Sequence, residues 1–439
     1  MGLRYKLVNL DQEPLSSQQG QFKTLKWELK NLEPFDENSA DSLPSVILAP
    51  VNFALEGKVA KMDSWEGLGD FILQLNKNKE HLPENFAQKV RAMTKDVEDP
   101  FSKMEILYKY LQKNYRYVAI FYGIGGWEPL QAEEVVKNQY GECKALSILM
   151  KAMLKEVGIE AQYSLVYAGK DYKPLDPEFP MNAFNHAFLR VPIQDEVYWL
   201  ECTSTILPPG FSGSFTMDRP TLVIDEKGSY LDKTPDFRDF KFNKTSHTYQ
   251  LQVNPNGNAM LSGNLEVSGF QAIDILMLQQ LGNADNRQTY LNKNIGGSGV
   301  NIENFDILLS TEREVPIATI RYTGEVQRLT QQTAKRIIIP THWKKLESEH
   351  LPNDVLYLQE EVSFQFPEKP RIESGVENWE ITQDDFSYSL NTEVLDDTII
   401  IKKLLQIRLD KKLSTSGKQQ RLASINQLIQ KNIILLKDI

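Results

Sequence analysis

Cysteine is almost missing from this chain: 439 residues contain two, Cys143 and Cys202. Two thiols give no disulfide framework, so a hydrophobic core has to hold the fold. Long apolar runs are missing as well. No stretch approaches the roughly 18 residues that a membrane helix needs, and the N-terminus has no signal-peptide h-region. Positive charge is in deficit, at a net −10, and no basic patch interrupts it. Nucleic acid and anionic membranes are therefore not expected partners. A phosphate loop is absent too: Gly123-Ile124-Gly125-Gly126 runs into Trp127-Glu128-Pro129, where Gly-Lys-Ser/Thr would be required. Histidine occurs five times, and His81, His247, His342 and His350 read as ordinary surface or core residues.

Against those absences, both cysteines fall in one window that also carries a histidine and a carboxylate. Leu146, Leu149, Met150, Met153, Leu154 and Val157 recur at helical spacing, with Gly158 as the stop. Cys143 then sits in the first turn, where unpaired N–H groups and the helix dipole favour a thiolate. Residues 185–191 and 197–201 read as a hairpin around Pro192-Ile193-Gln194-Asp195. A four-residue loop sets His186 directly against Glu201, within reach for a carboxylate to orient an imidazole. The expected triad is Cys143 as nucleophile, His186 as base and acid, and Glu201 as the orienting group. Gly126 and Trp127 are expected to wall a peptide groove. Gln139 and the Cys143 backbone N–H are candidate oxyanion donors. The proline-bearing loop 169–181 leads into His186 and is a candidate border of the site.

Gly141-Glu142-Cys143-Lys144, Phe184-Asn185-His186 and Trp199-Leu200-Glu201-Cys202-Thr203 together resemble the core of the bacterial transglutaminase-like superfamily. The likeness extends to multidomain, largely Bacteroidetes proteins in which that core follows a β-rich domain. Many relatives have Gly-Asp-Cys-Lys-Asp and a third-position Asp, where this chain has Gly-Glu-Cys-Lys-Ala and Glu201. The resemblance implies an α+β fold, a papain- or transglutaminase-like core with the cysteine helix on an antiparallel sheet, flanked by β-sandwich-like domains. It implies a cysteine hydrolase acting on peptide or glutamine amides through a thioester. The alternative is an inactive scaffold that recognises peptide or glycan. It also implies an exported protein, periplasmic or at the cell surface, whose leader is missing from this chain; otherwise the compartment is cytoplasmic.

No cofactor is expected. A zinc site built from Cys143, His186, Glu201 and Cys202 is disfavoured, because adjacent strand residues point to opposite faces. A Cys143–Cys202 disulfide requires Cα atoms within about 7 Å. The chain's length predicts several domains: a partial β-rich domain over 1–75, read as part of a sandwich, and the core over 76–240. A β-rich domain with one helix follows over 241–350, then a β-rich domain with a terminal helix over 351–439. Helices are expected near 64–75, from Asp99-Pro100, over 129–138, 269–281 and 418–430. Strands are expected at 161–168, 247–253, 259–267, 305–310, 316–325, 355–366, 379–390, 398–409 and 433–436.

Overall fold

The computed structural model describes residues 2–32, 43–119, 122–169, 175–295, 299–312, 315–333, 336–341, 346, 351–376, 378–411, 413–429 and 433–437. The chain divides into two compact units, Met1–Asp195 with Arg219–Lys233, and Glu196–Asp218 with Thr234–Ile439. Secondary structure mixes helix and sheet throughout, and the fold class is α+β.

The first unit opens with three antiparallel pairs. β1 (Leu3–Val8) pairs with β4 (Ser45–Pro50), β2 (Leu15–Gln19) with β3 (Phe22–Lys26), and β5 (Asn52–Leu55) with β6 (Lys58–Lys61). The expected sandwich is not formed among the described residues. A sandwich buries two inner faces, whereas every residue of β2 is exposed. Next comes α1 (Trp65–Asn76), where Ser64 Oγ accepts from Gly67 N at 3.0 Å and Leu68, Phe71, Ile72 and Leu75 are buried. α2 (Glu84–Thr94) was not expected from the sequence. α3 (Pro100–Asn114) begins as anticipated, with Pro100 in its first turn and Asp99 Oδ2 accepting from Ser102 N at 2.9 Å.

After the short β7 (Arg116–Tyr117), a 3-10 turn spans Gly123–Gly126. α4 (Ala132–Asn138) carries a capping box in which Gln131 and Glu134 satisfy each other's backbone amides. β8 (Tyr140–Gly141) leads into α5 (Cys143–Glu156), the central helix, which packs against α2, α3 and α4. Eight consecutive residues of α5, Cys143 to Met150, are buried, and Ala152, Met153 and Leu154 follow, so the helix is enclosed nearly all round. Gly158, at φ 79°, stops it as expected.

Behind α5 stand β9 (Gln162–Val166), β10 (His186–Ile193), β12 (Pro220–Val223) and β13 (Tyr230–Lys233), in the order β10-β9-β12-β13. The register sets His186 beside Val166 and Leu189 beside Tyr163. Ser147 Oγ of α5 donates to Ala187 O at 3.4 Å, tying the helix to β10.

In the second unit, β11 (Glu196–Leu200) is followed by the single turn α6 (Gly213–Thr216). Phe211, Phe237 and Phe270 anchor a small aromatic cluster there. The main body is an eight-stranded sheet. It contains β14 (Thr245–Val253), β15 (Ala259–Ser268), β16 (Val300–Glu312), β17 (Val315–Val326), β20 (Val355–Gln365), β22 (Trp379–Gln383), β23 (Phe386–Leu395) and β24 (Thr398–Arg408). Their order is β16-β17-β15-β14-β20-β24-β23-β22. A four-stranded sheet contains β18 (Gln331–Thr333), β19 (Arg336–Pro340), β21 (Ile372–Ser374) and β25 (Ile433–Lys437). α7 (Phe270–Leu281), α8 (Ala284–Asn294) and α9 (Thr415–Ile429) complete the unit. Both sheets and all three helices contribute to one apolar core. Strands from either side of residue 350 share the large sheet, because β14 and β20 run parallel as neighbours at its centre.

Candidate active site

Cys143 is the first residue of α5, as its sequence position implied. The residue before it controls its surroundings. Glu142 caps the helix, accepting from Lys144 N at 2.7 Å and Ala145 N at 3.1 Å, and its carboxylate pairs with the Lys144 ammonium at 2.8 Å. Both partners are buried. Two of the amides expected to favour a thiolate at 143 are thus already held by another anion, whose charge the Lys144 ammonium offsets.

Cys143 is 4% exposed, yet it is not sealed in packing. It lines a cavity of about 130 Å³ together with Lys144, Gly126, Trp127, Tyr163 and His186. Ile72, Leu165, Asn182, Phe184, Asn185 and Ala187 complete the wall. α5 brings the thiol, β9 the phenol and the start of β10 the imidazole. Asn185 fixes the entry to β10: its Oδ1 accepts from Ala168 N at 2.6 Å and its Nδ2 donates to Ala168 O at 2.9 Å. His186 therefore leaves a doubly anchored residue.

Trp127 and Gly126 line the cavity, as the expected groove wall requires. The Trp127 ring meets Phe71 at 5.8 Å, edge to face, and Phe53 at 6.2 Å between centroids. The turn before it is pinned from both sides. Ile124 N donates to Glu56 Oε1 at 3.1 Å, and Glu128 accepts from Lys58 and Lys79, each at 2.7 Å. Those ammonium groups, Lys58 first, hold the Glu128 carboxyl below its usual range.

Gln139 is placed elsewhere. It is exposed, closes α4 in the left-handed conformation at φ 57°, and is not among the residues lining the cavity. Of the loop expected to border the site, residues 170–174 lie outside the described residues. None of its described residues is among those lining the cavity; Asn182 and Phe184, which follow it, are.

Glu201 directly follows β11. It is 1% exposed, and its Oε1 accepts from Thr203 N at 3.2 Å and from the Thr203 hydroxyl at 2.5 Å. The turn before β11 has two residues, Gln194 at φ 55° and Asp195, where four were expected. The direct opposition of His186 and Glu201 assumed the longer loop, so that pairing arithmetic does not hold. Neither thiol is in a disulfide, and no group of three or more metal-ligating side chains gathers among the described residues.

Tyr163 is the site residue that sequence reasoning passed over. Burial, and after it the neighbouring Cys143 and Glu142, push its phenol well above the ordinary range, so a neutral hydroxyl faces the thiol's surroundings. The available signal was the two-residue period of β9, which puts Tyr163 and Leu165 on one face.

Residues 87–204 match the model of the transglutaminase-like superfamily. They form a transglutaminase-like domain. The match spans Cys143, His186 and Glu201 alike. A crystal structure of a candidate protease from Parabacteroides distasonis superposes with a TM-score of 0.53 at 9% identity. That superposition covers 100% of this chain and 70% of the other, and it speaks for the fold. A candidate cysteine protease from Cytophaga hutchinsonii is 14% identical over 37% of this chain and 53% of its own. Its TM-score is 0.23. No curated protein matches the chain. Among the described residues, no helix is long and apolar enough to cross a membrane.

Proposed function

We propose that the transglutaminase-like domain is a cysteine hydrolase acting on amide bonds of peptides or glutamine side chains. The reading rests on one observation: Cys143 at the start of α5 and His186 at the start of β10 line the same cavity. In the proposed reaction His186 takes the thiol proton and the Cys143 thiolate attacks the amide carbon. The C–N bond breaks as His186 returns that proton to the leaving amine, which leaves a thioester. Water, deprotonated by His186, then attacks the thioester and releases the acid and the thiol. The Cys143 amide, which Glu142 does not take, is the proposed oxyanion donor. Glu201 is the proposed orienting carboxylate. Peptide or protein is the proposed substrate class, and an exported protein the proposed setting.

A second reading, an inactive scaffold that binds peptide or glycan, is favoured by the near-complete burial of Cys143. The test is amide hydrolysis across a peptide library. Cys143→Ala is expected to abolish turnover and the trapped thioester, while Cys202→Ala retains both. Turnover that survives Cys143→Ala rejects the mechanism. Peptide binding without turnover in the unmutated protein selects the scaffold.

A further inference from the structure

The second unit holds a larger cavity than the one beside Cys143, about 170 Å³, between one face of the eight-stranded sheet and the helices α7, α8 and α9. The sheet registers give its floor. One row of cross-strand neighbours runs Ile320, Leu265, His247, Glu360, Lys403, and the next runs through Val267, Thr245, Leu358 and Leu405 to Tyr388. Most of this lining is aliphatic. A buried ionic row on the inward face of a sheet costs desolvation that aliphatic residues would not, which makes it a candidate for function.

The charges in that row answer one another. Lys403 pairs with Glu360, His247 Nε2 meets the Tyr322 hydroxyl at 2.5 Å, and His247 Nδ1 stands 4.0 Å from Glu360. The carboxylate left over is Asp274 on α7. It lines the cavity, keeps solvent contact and so marks the mouth. Among the described residues no hydrogen bond or ion pair engages it. Among the described lining residues two carboxylates, Glu360 and Asp274, stand with one ammonium, Lys403.

We propose that this cavity is a binding site for an apolar organic amine, its ammonium on Asp274 and its hydrocarbon body between the sheet and the helices. The space suffices: an engineered apolar cavity of roughly 150 Å³ takes up benzene, so a chain of about six carbons is accommodated. An ammonium closes the charge balance of the lining. A carboxylate would instead meet two anions, with the one lysine already paired.

The experiment is isothermal titration of the full chain at pH 7 with n-hexylamine, 1-hexanol and sodium hexanoate. Hexylammonium is expected to bind roughly fivefold tighter than hexanol, and hexanoate more weakly than either. Asp274→Asn, at an exposed position, is expected to bring the amine-to-alcohol ratio to about one without changing hexanol affinity. Val267→Phe, which fills the floor, is expected to remove both. Equal binding of hexanol and hexylamine, preference for hexanoate, an amine preference that survives Asp274→Asn, or no binding by any probe each overturns the proposal.

Discussion

Glu142 decides how much of the helix N-terminus is left for Cys143. A carboxylate at this cap satisfies two amides and holds a buried ammonium, so its removal exposes three groups to an apolar interior. Glu142→Ala is expected to lower folding stability by roughly 3 kcal/mol, read as a shift of the urea midpoint. Lys144→Met removes the ammonium that answers Glu142, and the double variant with Glu142→Gln is expected to recover part of the loss. If the single Glu142→Ala variant melts with the parent, the cap does not carry that energy. Cys143, His186, Trp127 and Gly126, which line one cavity, stood out in the sequence because each stands beside a helix start, a strand start or a glycine turn. Gln139 was misplaced because its position in sequence, four residues before Cys143, says nothing about the left-handed turn that directs it outward.

Elements with strong local signals appear where the sequence put them. α1 and α3 have caps and buried stripes, and α7, α9, β14, β15 and β24 come within a few residues of their expected limits. α2 escaped because its N-cap is Pro83 and no side chain caps it. α8 escaped because Leu291 is its sole buried residue among the described ones, too little for a periodic stripe. The single strand expected over 379–390 is a hairpin, β22 and β23, turned by Asp384 and Asp385. Within β15, Gly263 has a steric reason. A Cβ there would stand 2.4 Å from the Tyr322 ring end and 2.9 Å from Tyr249. Gly263→Ala is therefore expected to cost roughly 1–3 kcal/mol by denaturant titration and to displace the Tyr322 hydroxyl from His247. A fully stable variant with the Tyr322–His247 contact intact in its crystal structure would contradict this.

Over the whole molecule, several buried phenols set the alkaline limit. Tyr163, Tyr249, Tyr322 and Tyr388 are each pushed upward chiefly by burial, with nearby acidic groups adding to it. A phenol raised in the fold contributes stability below its unfolded value, near 10, and loses it as pH climbs towards the folded value. Denaturant midpoints are expected to hold from pH 8 to about 10 and to fall above that. Tyrosine ionisation, followed by absorbance, is expected to coincide with unfolding. A midpoint unchanged at pH 11 would mean that these phenols ionise in place.

The sequence by itself determined what is local: caps, apolar periods, turn residues and the short motifs around Cys143 and His186, because each depends on neighbours within a turn or two. Tertiary structure decided what depends on contacts distant along the chain. It made Tyr163 a wall of the cavity, buried the Glu142–Lys144 pair and laid His247, Glu360 and Lys403 in one row. Those outcomes follow from strand order and register, which are set by the summed burial of many side chains, and no window of sequence contains that sum.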